Sequence, residues 1–281
     1  MTEISIVIPC RDGADTLPRQ IDAILAQSTD IDFEVVVADN GSVDGTAAVV
    51  RGYANPRVRL ADASRAAGVN VARNVGVSAA HGGFIMLTDA DDVVHDGWLE
   101  AYARAFRRGA QLVGGGLDCA LPDGRLLRRE RRLYRALLGR YTYANGTNCG
   151  FTRAVFDDVG GFDESFSGGA DEVDFFCRAA DARYKLEFVP DAVVTKIQPD
   201  SLRDVFARQF KFGRGEARLL RKHRPLWLCP AIPLALLQAA MWSLVWLTGI
   251  RRRTSTAGLA FSLGLMRQAV PTDLFARYHI E

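Results

Sequence analysis

The chain has 281 residues, 48% hydrophobic, 24% charged and 9% aromatic, with a formal net charge of +2. That balance excludes disordered, collagenous and coiled-coil classes, and a chain of this length buries enough surface as one large or two small domains to need no covalent staples. The near-neutral charge argues against a nucleic-acid partner, although only four of the 35 basic residues are lysine and the arginines cluster.

ISIVIP at 4–9 is a short β-branched run closed by Pro9, the pattern of a strand buried on both faces. A helix is predicted from Leu17 to Gln27, then a second continuous apolar strand in FEVVVADN at 33–40, leading to a helix from Thr46. VRL at 58–60 precedes a helix over 69–80, and FIMLTDADD at 84–92 precedes one from Asp96 to Arg107. Strands and helices in alternation predict an α/β fold, Rossmann-like, with a mostly parallel sheet flanked by helices and its ligands beyond the carboxyl ends of the strands. After Leu112 come a Gly-rich strand, LVGGGLDC, an arginine-dense stretch from Arg125 to Arg140, a Gly/Asn segment at 145–150 and a helix after Arg153.

Two strand ends carry acidic clusters. In DADD, alternation along an extended chain sets Asp89 and Asp91 on one side, and paired carboxylates suit Mg²⁺ or Mn²⁺. The alternative is a solvated turn in which Asp92 or Asp96 caps the next helix. Asp39, in ADNGSVDGT, is placed to accept hydrogen bonds from an imide N–H or ribose hydroxyls, or simply belongs to a capped turn. Arg65 and Arg73 offer phosphate-binding forks or are exposed arginines, with Asn74 beside Arg73 on the same helix. Asp171, Glu172 and Asp174 open a helix, where acids favour the positive end of the dipole; the functional alternative is a general base. The arginine-dense run is either a solvated face or a patch for a membrane surface or an anionic acceptor. The five cysteines have no metal spacing and read as reduced thiols, and His81, His95, His223 and His279 lie too far apart to suggest a site.

SIVIPCRDGADTL, EVVVADNGSVDGT, AAGVNVARNVGVSAAHGGFIMLTDADD, NCGFTRAVFDDVGGFDESF, ADEVDF and RQFKFGRG occur in the order seen in family 2 glycosyltransferases with a GT-A fold, which the chain resembles over about residues 3–222. The resemblance implies an inverting, nucleotide-sugar-dependent hexosyltransferase. It implies that Asp39 contacts the base, that Pro9, Arg11 and Asp12 flank the same pocket, and that Asp89, Ala90 and Asp91 form the DxD motif that binds ribose and the metal on the diphosphate. Arg73 and Asn74 complete the donor-binding set. The family's base lies in an acidic pair before a helix, reversed here, and alignment on Val173 and Asp174 assigns it to Glu172, with Asp171 as the alternative. Where many relatives carry a metal-side His, this chain has Lys196. RQFKFGRG lacks the Trp of the acceptor-side motif of processive synthases. A UDP-sugar is the expected donor, with dTDP- or GDP-sugars as alternatives.

Residues 226–250 are 25 residues without a charge, with Trp at both ends and arginines beyond. Pro230 and Pro233 leave about 17 residues for a clean helix, the lower limit for a span, so spanning, interfacial and buried readings stay open. The expected division is a catalytic domain at 1–222 and a membrane-associated region at 223–281. The amino terminus carries no secretory pattern, and the enzyme is expected on the cytoplasmic face of the inner membrane, acting on a lipid-linked or polysaccharide acceptor of the bacterial cell envelope. A non-catalytic nucleotide-sugar binder and a sugar nucleotidyltransferase are the alternatives, the latter disfavoured by the single glycine in CRDGADTL.

Overall fold

The computed structural model describes residues 2–269 except 138, 167, 225, 227 and 250. His279 and the rest of 270–281 lie outside the described residues, as does the side chain of Cys229. The chain forms two compact units: residues up to 165 together with 171–198, and residues 166–170 together with 199 onward. The division at 198 precedes the basic helix, whereas the composition changes only after 222.

In the first unit, β1 (Ile4–Cys10), β2 (Phe33–Asp39), β3 (Val58–Asp62) and β4 (Phe84–Leu87) alternate with α1 (Leu17–Leu25), α2 (Thr46–Gly52) and α3 (Val69–Ala79). The β-branched runs of β1 and β2 are buried on both faces. Ile4, Ile6 and Ile8 pack with Leu17, Ile21 and Ile24 of α1 on one side, while Val7 packs with Val77 of α3 on the other. These four strands are parallel, and β1 and β2 end level, with Cys10 opposite Asp39. That levelling gathers the loops after β1, β2 and β4 at one end of the sheet.

The remainder corrects the expectation of a mostly parallel sheet. After β5 (Val93–Val94) and α4 (Trp98–Arg107) come β6 (Leu112–Ala120), β7 (Leu126–Glu130), β8 (Tyr134–Ala136), β9 (Tyr141–Tyr143) and β10 (Cys149–Thr152). Then follow α5 (Arg153–Val159), α6 (Asp171–Asp181) and β11 (Leu186–Ile197). The order is β3-β2-β1-β4-β10-β6-β11-β5, with β7 paired to β6. β10 is antiparallel to both β4 and β6, and β5 is antiparallel to β11, so the sheet is mixed. An antiparallel insertion needs no crossover helix, so the alternation of elements does not announce it. The arginine-dense stretch supplies β7 on the sheet and β8, which pairs with β9 in a hairpin.

The second unit consists of α7 (Leu202–His223), α8 (Leu228–Leu247), α9 (Arg252–Ala269) and the short stretch before α6. Gly213 of RQFKFGRG and Gly264 of α9 let two helices pack closely. A Cβ on Gly213 would fall 1.9 Å from the Phe261 carbonyl, and one on Gly264 would fall 2.0 Å from that of Phe210. Pro233 lies inside α8 rather than ahead of it. The spanning reading of 226–250 is not met, because among the described residues no helix is long and apolar enough to cross a membrane. Leu236, Leu237, Leu244 and Leu247 of α8 are exposed.

Candidate active site

The acidic motif is not an extended strand. β4 ends at Leu87, and Ala90 and Asp91 lie in a turn, which corrects the alternation argument. The turn gathers three carboxylates rather than two, with oxygens of Asp89, Asp91 and Asp92 within 4.8 Å of one another. Asp91 is exposed, Asp89 half-buried and Asp92 1% exposed. Asp92 caps no helix.

The framework of this turn comes from residues without an obvious sequence signal. Gln20, fully buried on α1, donates through Nε2 to Thr88 Oγ1 at 2.6 Å and to the Asp89 carbonyl at 3.3 Å. Its Oε1 accepts the Val94 N–H at 3.0 Å. Arg19 reaches the Asp91 carbonyl at 3.3 Å. Because β10 runs against β4, the residues just before it arrive beside the end of β4. There the Thr147 hydroxyl donates to Asp92 Oδ2 and accepts the Asp89 N–H at 3.2 Å. On the other side β5 pairs with β11, Thr195 opposite Val93, which delivers Lys196. Its Nζ lies 3.1 Å from Asp89 Oδ2 and 3.3 Å from Asp92 Oδ2.

The electrostatics follow from that arrangement. Burial works against the charge on Asp89, but Lys196 and then Arg73 outweigh it and hold its pKa below the ordinary value. Burial, with Asp89 and Asp91 alongside, pushes Asp92 up to about 6 against the pull of Lys196. Asp89 and the exposed Asp91 offer hard oxygen donors that fit a small divalent cation such as Mg²⁺ or Mn²⁺.

Glu172 sits in the first turn of α6, half-buried, and its Oε1 accepts the Gly146 N–H at 3.3 Å. Burial raises its pKa, and the charge of Asp171 adds to the rise against the pull of Arg73. Asp171, the first residue of α6, is held from behind: Asn70 Nδ2 donates to its carbonyl at 3.1 Å and to that of Asp163 at 2.9 Å. Asp174 is fully buried against Arg178 at 2.8 Å, a structural pair. Gly146 lets the segment pass close to both side chains, since a Cβ would come 2.5 Å from Arg73 Nη2 and 3.4 Å from Glu172 Cβ.

Arg73 is not an exposed helical arginine. It is 4% exposed, donates to Asn70 Oδ1 at 3.0 Å and lies 5.5 Å over the Phe162 ring. Its Nε is buried and finds no hydrogen-bond partner among the described residues. Asn74 instead clamps the loop ahead of α6. Its Nδ2 donates to the Phe162 carbonyl and to Glu164, and its Oδ1 accepts the Phe162 N–H. Arg65 pairs with that same Glu164.

The residues expected to flank the donor form one stitched rim. Pro9 stands opposite Ala38, and Arg11 and Asp12 follow β1, Asp12 with φ of 53°. The Asp12 N–H donates to Ser42 Oγ at 2.9 Å, and its Oδ1 accepts the Val43 N–H at 2.8 Å. Asp39 Oδ1 accepts both the N–H and the hydroxyl of Ser42, at 3.0 and 2.5 Å. Backbone-to-side-chain bonds in both directions fix the two loops relative to each other.

Behind the acidic turn a second network was also silent in the sequence. Asn148 donates to the carbonyls of Gly116 and Ala192 and accepts from Trp98 Nε1 at 2.8 Å and Tyr102 Oη at 2.7 Å. It ties β10, β6, β11 and α4 together. An asparagine in a Gly-rich run looks like a turn residue, and nothing local marks it as a buried hub.

Residues 5–160 match the family model described as Glycosyl transferase family 2, and residues 84–270 match Glycosyl transferase family group 2. The glycosyltransferase AglE of Haloferax volcanii is 28% identical over 254 residues, covering 86% of this chain and 80% of that protein. The succinoglycan biosynthesis protein ExoO of Rhizobium meliloti is 34% identical over 166 residues, 55% of this chain and 47% of that protein. The mannosyltransferase PcManGT of Pyrobaculum calidifontis, solved in complex with GDP-Man and Mn²⁺, has the same GT-A-like fold. It gives a TM-score of 0.68 at 19% identity over 95% of this chain and 86% of that one.

Proposed function

Since the chain belongs to glycosyl transferase family 2, we propose that it is an inverting hexosyltransferase that moves a sugar from a nucleotide donor to a hydroxyl of a lipid-linked or polysaccharide acceptor. One observation carries the reading. Two consecutive residues, Gly146 and Thr147, bond Glu172 on one side and the acidic turn on the other, so a candidate base and a candidate diphosphate site share one short segment.

Glu172 is the general base, taking the proton from the acceptor hydroxyl as that oxygen attacks the anomeric carbon opposite the nucleotide. Its raised pKa suits it to hold that proton during transfer. Arg73, whose guanidinium lies beside Gly146 and whose Nε has no hydrogen-bond partner among the described residues, stabilises negative charge on the donor; a guanidinium is apt for that work. Asp39 and the rim of Pro9, Arg11 and Asp12 receive the base and ribose. A divalent cation held by Asp89 and Asp91 would supply Lewis-acid stabilisation of the leaving diphosphate.

A UDP-sugar is the expected donor, with dTDP- and GDP-sugars as the alternatives, and the mannosyltransferase neighbour solved with GDP-Man supports keeping GDP-sugars among them. The second unit docks the enzyme on the cytoplasmic face of the inner membrane, in a bacterial cell-envelope role. The exposed leucines of α8 and the arginines at 251–253 that follow it support an interfacial placement over a spanning one. Thermal unfolding against UDP-, dTDP- and GDP-sugars, with and without Mn²⁺, tests the donor reading, because selective binding to the native state raises the melting temperature. A shift with one nucleotide supports it, and no shift with any of them counts against it.

A further inference from the structure

Two of the three carboxylates at the acidic turn already carry a cation. Lys196 Nζ lies 3.1 Å from Asp89 Oδ2 and 3.3 Å from Asp92 Oδ2, and its side chain is only 20% exposed. Asp92 has both oxygens engaged: Oδ1 accepts the Ile197 N–H at 3.1 Å, and Oδ2 accepts the Thr147 hydroxyl and Lys196. Asp92 therefore anchors the ammonium more than it offers a ligand to anything else.

The lysine's position is set by the sheet. Thr195 and Val194 pair with β5, Lys196 pairs with Cys119 of β6, and the Ile197 N–H is tied to Asp92. Main-chain bonds on both sides fix the Cα from which the ammonium reaches the turn. A divalent cation drawn to Asp89 meets a like charge bound to the same carboxylate, and repulsion between neighbouring cations is strong where water is scarce.

We propose that Lys196 is a built-in competitor for the divalent cation at the acidic turn, occupying Asp89 in the donor-free protein so that metal binds weakly until a donor diphosphate arrives to share the positive charge. This deepens the reading of the site as a nucleotide-sugar site and rests on it for the donor. It makes Lys196 a residue that sets the order of loading. The free enzyme holds little metal, and metal and donor enter together.

The test measures Mn²⁺ binding to the full-length protein without nucleotide, by the electron paramagnetic resonance signal of free Mn²⁺. Lys196→Met removes the charge at similar length, and Lys196→Arg keeps it. Binding at least tenfold tighter in Lys196→Met, with Lys196→Arg as weak as the wild type, is the expected result. The proposal is overturned if Lys196→Met binds no tighter than the wild type, both being silent included, or if Lys196→Arg tightens as much. Circular dichroism checks folding, and Lys196→Gln replaces Lys196→Met if that variant does not fold. The readout is metal occupancy, not turnover. Tightening in Lys196→Met with no thermal shift from any nucleotide sugar would therefore fail the donor reading while leaving the competition standing.

Discussion

The Gly146 amide donates to Glu172 Oε1 at 3.3 Å, a bond between residues 26 positions apart that sets the carboxylate of one helix against the segment entering the middle strand of the sheet. The next residue, Thr147, holds Asp89 and Asp92. Glu172 and the acidic turn are thus linked through one peptide unit, which makes the site's geometry sensitive to substitutions on either side of it.

Glu172→Gln should lower kcat by about 10²- to 10⁴-fold, the usual contribution of a general base, while the donor-induced thermal shift persists. Asp171→Asn should cost much less. Because burial raises the Glu172 pKa, the acid limb of the wild-type kcat/KM profile should lie above the ordinary glutamate value of 4.5. An unchanged kcat in Glu172→Gln would refute the assignment.

Thr147→Val keeps the shape and removes both hydroxyl bonds to the acidic turn. With a buried carboxylate and an amide each losing a partner, unfolding stability should fall by about 1–3 kcal/mol, read from urea denaturation. The metal-dependent part of the donor-induced thermal shift should shrink with it. Gln20→Leu should act in the same direction from the opposite side of the turn.

Glu34 gives the fold an acid-sensitive contact away from the site. Burial opposes its charge, but the His81 N–H, the Ser5 hydroxyl and Arg59 outweigh it and lower its pKa. A lowered folded-state pKa contributes stability that is present above the unfolded value, near 4.5, and is lost as pH falls through the folded value. The melting temperature should therefore drop on acidification below pH 4.5, and Glu34→Gln should flatten that drop.

Asn148→Ala strands the Trp98 and Tyr102 donors and two carbonyls in the core. At about 1–3 kcal/mol for each unsatisfied group, the loss should reach several kcal/mol, enough to depress soluble expression. Gly115→Ala should fail similarly, since a Cβ there would meet the Ala192 carbonyl at 2.2 Å and Asn148 Nδ2 at 2.4 Å. A melting temperature within a degree or two of wild type in both variants would show that the hub is dispensable.

Leu237→Glu and Leu244→Glu place charge on the exposed side of α8. Co-sedimentation with anionic phospholipid vesicles should fall in both, with the melting temperature unchanged. Wild-type protein that stays in the supernatant with such vesicles would remove the membrane-docking reading.

The sequence by itself determined the elements whose signal is local. The β-branched runs at 4–9 and 33–40, the turn residues after them and the helices they precede occur where the pattern puts them, because burial on both faces and side-chain bonds within a turn act over a few residues. The acidic turn and the Asp171–Glu172 pair were legible for the same reason, since strand ends and helix starts are where such side chains collect. What only the tertiary structure decided depends on pairing between distant segments. β10 runs antiparallel into the middle of the sheet, which brings Thr147 to Asp92 and Gly146 to Glu172. β11 carries Lys196 to Asp89, and α1 carries Gln20 under the turn. A lone Asn, Gln, Thr or Lys has no period to reveal it. Its role is set by strand register, a long-range quantity that side-chain alternation constrains to a face and leaves open as to partner.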